Sequence, residues 1–87
     1  MLGNRDNAAA ALLRELREER GLSPEQVPFE MYRAGIDRRF IPSARTIRRI
    51  EIEGVVPQIR FKFGLATFYG REVSGLWRPS LAGATNG

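Results

Sequence analysis

Three arginines, Arg45, Arg48 and Arg49, stand within eleven residues that read IPSARTIRRIE, positions 41–51 of an 87-residue chain. A guanidinium is always charged and presents a planar fork of donors that grips planar, anionic or acceptor-rich partners. The spacing decides where these forks point. In a helix entered at Ser43, each residue advances about 100°, so Ile47 and Ile50 share one face. The arginines are related by i+3 and i+4 and share another, almost directly opposite. One side is built for a core, and the other turns guanidinium groups outward.

The charge distribution says what such a face meets. The chain carries +4 overall. Residues 1–37 hold five Arg against seven acids, whereas residues 38–62 hold seven Arg or Lys against two Glu. Only Lys62 among the fourteen basic side chains is not arginine. The ordinary alternative for a charge run is a solvated face. Arginine concentrated in one segment instead favours a polyanion such as nucleic acid.

Other chemistries lack their residues. There is no cysteine and no histidine, so neither a disulfide framework, a thiolate nucleophile nor imidazole acid/base chemistry is available. The eight Glu and two Asp are scattered, with no paired-carboxylate or phosphate-loop spacing. No enzyme, cofactor, metal or small-molecule ligand is expected. No apolar run reaches about 18 residues, and the start of the chain lacks the basic-then-apolar order of a signal peptide. No membrane partner is expected, and a cytoplasmic protein of a simple cell or a virus is.

Five short helices are expected to position the arginines. The first lies in DNAAAALLRELREERG, capped by Asp6 or Asn7 and stopped at Gly21. Its apolar stripe is Leu12, Leu13 and Leu16, and Arg14 and Glu18 form an i,i+4 pair. The second follows Ser23, with a capping-box spacing to Gln26. Pro28 either distorts this helix or marks its true start. Val27 and Met31 face inward, with Ala34 a further candidate, and Gly35 ends it. Phe40 and Ile41 anchor the connection to the core. The third helix runs from Ser43 to about Glu53 and Gly54. The fourth is opened by Pro57 and stopped by Gly70, although IRFKF also alternates like a strand. The last lies in EVSGLW. Residues 1–79 form one domain, and 80–87 a disordered tail.

The order of these elements resembles the Cro and phage-repressor type of helix-turn-helix domain, the xenobiotic-response-element family. The stretches that carry the likeness are LRELREERGLS, SARTIRRIE with a following Gly and Pro, LATFYG and VSGLW, within residues 10–77. The resemblance implies an all-α, compact five-helix lambda-repressor-like fold whose third helix enters the major groove of double-stranded DNA. It implies that Ser43, Ala44, Arg45 and Arg49 meet base edges or the nearest phosphates. Arg45 and Arg49 suit guanine, whose O6 and N7 accept two bonds from one guanidinium. Thr46 and Arg48 fall at the margin, where phosphate is the expected partner. Glu51 is implied to pair with Arg17 and hold the third helix to the first. The last two helices are implied to carry a weak dimer contact, assigned to Phe68, Leu76 and Trp77.

Two features depart from the family pattern. The connection Gly35 to Pro42 is longer than the usual tight turn, and its Arg38 and Arg39 are candidates for a phosphate clamp. Pro28 replaces the small residue usual in helix two. The aromatics Phe29, Phe40, Phe63, Phe68, Tyr69 and Trp77 are expected mainly in the core, although Phe61, Phe63 and Phe68 cannot all face it from one helix. The expected function is that of a sequence-specific transcriptional regulator similar to a small phage Cro or repressor. Two alternatives stay open: an antitoxin-like protein-binding module and a DNA-bending accessory protein of recombination.

Overall fold

The computed structural model describes residues 5–78. The chain is all-α over this range. Helices α1 (Asn7–Glu19), α2 (Gln26–Arg33), α3 (Ala44–Glu53), α4 (Ile59–Tyr69) and α5 (Val73–Leu76) follow in order, with a 3-10 turn at Arg38–Phe40 between α2 and α3. No strand occurs among the described residues, and an isolated antiparallel bridge joins Arg5 to Val55. The IRFKF stretch is helical. No helix among the described residues is long and apolar enough to cross a membrane. The segment expected as a tail, 80–87, lies outside the described residues.

Local signals fix the helix ends. The Asp6 carboxylate accepts from the Ala9 amide at 2.9 Å and caps α1, and Gly21 turns left-handed after it. At α2, the Ser23 hydroxyl accepts from the Gln26 amide and the Gln26 side chain accepts from the Ser23 amide, a reciprocal capping box. The regular helix starts only at Gln26. Pro28 is therefore its third residue, where an amide has no intrahelical partner to lose. Pro24, whose carbonyl its ring would strike, lies in the preceding turn. That resolves the conflict posed by Pro28. Ala34 is exposed rather than inward, and α4 begins at Ile59, two residues after Pro57.

The core draws on every helix. Leu13 and Leu16 of α1, Val27 and Met31 of α2, Ile47 and Ile50 of α3, Leu65, Ala66 and Tyr69 of α4, and Leu76 with Trp77 form one buried cluster. Leu12 is only partly buried against it. Burying one isoleucine contributes roughly 1.5–3 kcal/mol. Ile47 and Ile50 together therefore fix which way α3 faces.

Tyr69 and Trp77 lie in the core as expected, and two other expectations are corrected. Phe29 and Phe63 are exposed rather than in the core. The Phe29 ring leaves the core because Val27 and Met31 already occupy the inward face of α2. Leu76 and Trp77 are only 2% and 7% exposed, so neither is available as an apolar contact for a second protomer. The chain turns at Gly70 and lays α5 back against α4 and α1, which consumes that surface within one molecule.

Candidate nucleic-acid interface

The third helix is built to hold its outer face steady. The Ser43 hydroxyl accepts from the Thr46 amide at 3.1 Å and caps its start. Gly54, with φ near +74°, ends it. The Asp6 amide donates to the Gly54 carbonyl at 2.8 Å, and Arg5 donates to the Glu53 carbonyl at 3.1 Å. Positive charge at the helix C-terminus satisfies orphan carbonyls and complements the helix dipole.

Two ion pairs clamp α3 to its neighbours. Arg17 of α1 meets Glu51 through Nη2 at 2.9 Å and through Nε at 3.0 Å to both carboxylate oxygens. The two side chains are 12% and 5% exposed. Arg17 also donates to the Leu22 carbonyl at 2.8 Å, so its fork spans α3 and the end of α1. The Glu51 hydrogen bond, despite an opposing cost of burial, raises the Arg17 pKa above its ordinary value. The second clamp is Arg48 with Glu25, between α3 and the turn leading into α2. Both partners are substantially exposed.

The outward arginines thus fall into distinct states. Arg45, Arg48 and Arg49 are all exposed, opposite buried Ile47 and Ile50. Arg48 is engaged by Glu25, and Arg49 lies 3.6 Å from Glu53 one turn on. Arg45 makes no ion pair or side-chain hydrogen bond among the described residues. The Ser43 hydroxyl donates to Thr46 Oγ1 at 3.1 Å while it accepts the capping bond, so both of its roles are used within the helix start. Ala44 is half-buried. Arg45 is therefore the cation of this turn with no ion-pair partner among the described residues, and the Thr46 hydroxyl, which accepts from Ser43, keeps its own proton to donate.

The connection carries its own organised cations. Asp37 caps the 3-10 turn by accepting from the Arg39 amide at 2.9 Å. Its two oxygens also accept from Arg39 Nε and Nη2 at 3.1 and 3.2 Å. This side-chain pairing is the chief cause of an Asp37 carboxyl held below its usual range and an Arg39 guanidinium raised above its own. Arg38 lies 5.7 Å from the centroid of the Tyr32 ring. The turn is positioned by α4, where Gly64 meets the Phe40 backbone and Phe63 meets the Phe40 ring edge-on at 5.8 Å.

Several of these features escape the sequence reading. The expected Arg14–Glu18 pair is replaced by a bond from Arg14 to the Glu51 carbonyl at 3.4 Å, because α1 packs directly on α3. Ile52 falls in the middle of the arginine face, 76% exposed. Its angular position, one turn beyond Arg48 and Arg49, is a signal that the periodicity already contained. Of the proposed dimer residues, only Phe68 keeps an accessible part, and Arg20 lies over its ring at 4.8 Å. Comparison with known protein families, with curated proteins and with solved structures finds no match to this chain.

Proposed function

We propose that this chain is a sequence-specific regulator of the Cro or phage-repressor helix-turn-helix type, which binds double-stranded DNA and catalyses no reaction. The supporting observation is the outer face of α3: Arg45 without an ion-pair partner among the described residues, Arg49 and Arg48 beside it, and the opposite face locked into the core. In this reading α3 lies in the major groove. Arg45 and Arg49 read base edges, Ser43 and Ala44 line the approach, and Arg38, Arg39, Thr46 and Arg48 meet phosphate. Releasing Arg49 from Glu53 costs little, since exposed pairs contribute about 0–1 kcal/mol. The test is selection of a preferred duplex from a random library, followed by titration at several salt concentrations. A recovered consensus with strong salt dependence supports the reading, and absence of any retained DNA rejects it.

A second reading, an antitoxin-like protein-binding module, is favoured by Ile59 and Phe63. Both are exposed, one turn apart on α4, and apolar side chains in that arrangement suit a partner surface. Substituting both with Ser, and finding DNA affinity intact but capture of a co-expressed partner lost, is the result that supports it.

A further inference from the structure

Next to the Ser43 cap of the third helix, α2, the 3-10 turn and Pro42 form an open, shallow groove of about 480 Å³. Pro28, Phe29, Tyr32, Ile41 and Pro42 line it together with Arg38 and Ser43. Phe29 and Tyr32 are 61% and 57% exposed and stand three residues apart, so their rings share one face of α2. Apolar side chains scattered singly on a surface need no explanation, but two rings joined to further apolar wall form a contiguous patch. Among the described residues no acidic side chain lines the groove. Each ring has a guanidinium over it, Arg38 at 5.7 Å from the Tyr32 centroid and Arg33 at 6.0 Å from that of Phe29, long cation–π contacts that an entering base would displace or share. Arg33 also pairs with Glu30 at 3.3 Å. Arg38 makes no ion pair among the described residues.

Such a surface calls for an occupant that is flat and weakly polar over its body and anionic at one edge. A nucleobase with its own phosphate has that form. We propose that the groove receives one unstacked base of the bound DNA, laid against Tyr32 and Phe29, with Arg38 on the adjoining phosphate. The proposal rests on the DNA-binding reading. It adds a preference for a site with an unpaired or readily unstacked nucleotide beside the sequence that α3 reads. Base–aromatic stacking tolerates any base, because every base has a π-face.

The test compares the full chain on two duplexes of the selected sequence, one fully paired and one with a single bulged adenine at the flank, by fluorescence anisotropy at one salt concentration. The bulged duplex is expected to bind about tenfold tighter, the order that one stack gives. Tyr32→Ala is expected to erase that preference and leave the paired duplex within about twofold. Tyr32→Phe, which keeps the ring, is expected to retain it. Because Tyr32 is mostly exposed, both variants are expected to melt with the unaltered chain. Equal binding of the two duplexes overturns this inference alone. A preference that survives Tyr32→Ala overturns it too, since general flexibility of the bulge then explains the gain. Self-association that Tyr32→Ala abolishes assigns the groove to a second copy of the chain and also overturns it. Binding to neither duplex overturns the DNA-binding reading and this inference with it.

Discussion

Gly64, in the middle of α4, lies against the backbone of Phe40 so closely that a β-carbon built on the glycine would overlap the Phe40 carbonyl oxygen. The 3-10 turn that carries Arg38 and Arg39 is seated there. Replacing an interior helical glycine by alanine normally stabilises by roughly 0.5–1 kcal/mol. Here Gly64→Ala is expected to destabilise by about 1–3 kcal/mol, the cost of overpacking where the neighbour is backbone. Urea unfolding decides between the two signs. A stabilised variant rules out the close approach of α4 to the turn.

The two ion pairs of α3 are expected to differ sharply. Arg17→Ala strands the Glu51 carboxylate among core side chains and is expected to cost about 3 kcal/mol or more. Arg48→Ala breaks a solvent-exposed pair and is expected to cost less than about 1 kcal/mol. Thermal melts of both variants test this. Equal melting temperatures contradict the structural role of the Arg17–Glu51 pair.

Burial pushes the Tyr69 hydroxyl up to about 12, with the Glu51 charge adding to the shift. The ordinary value is about 10. In the raised range the folded chain keeps a proton that the unfolded chain loses, so stability falls as pH rises from about 10 to 12. Below pH 10 this contribution is fully present. Tyr69→Phe removes the titrating group and is expected to flatten that part of the pH dependence. Denaturant midpoints at pH 9, 10.5 and 11.5 provide the measurement.

Much of this arrangement is legible in the sequence because it depends on neighbours a few residues apart. The Ser43 cap, the inward turn of Ile47 and Ile50, the stop at Gly54 and the outward arginines all follow from local spacing. The Arg17–Glu51 pair joins distant positions and entered through the family resemblance rather than through spacing. What stayed hidden depends on how separate elements meet. Whether Trp77 is exposed turns on α5 folding back on the core, which a four-residue helix does not announce. The partner of Arg48 depends on where the turn before α2 is placed, as the partner of Arg14 depends on α1 packing across α3. The Gly64 contact left one trace, a glycine in the interior of a helix, and a close approach is a physical reason for one. The exposure of Phe29 and Tyr32 is also contained in the periodicity, since both fall on the side of α2 opposite Val27 and Met31, but aromatics at helical spacing ordinarily weigh as core residues.

Salt dependence probes the basic surface as a whole. Neutralising about four to six phosphates per protomer gives a slope of log K against log salt near −4 to −5. Binding isotherms between low and moderate salt are expected to show it. A slope near zero is incompatible with an interface made by Arg38, Arg39, Arg45, Arg48 and Arg49.

The most direct measurement of the reading role of α3 sets Arg45 against Arg39. Both are exposed arginines, but Arg45 stands free on the outer face of the helix, whereas Arg39 is gripped by Asp37 in the connection. Each is replaced by Ala and titrated on the selected duplex and on a scrambled one at two salt concentrations. Arg45→Ala is expected to lose about 1–3 kcal/mol on the selected sequence and to relax preference at one base pair, with little loss on the scrambled one. Arg39→Ala is expected to weaken both duplexes alike and to flatten the salt slope by about one unit. Equal loss on the two duplexes for Arg45→Ala contradicts base reading by α3 and leaves it a phosphate-binding helix.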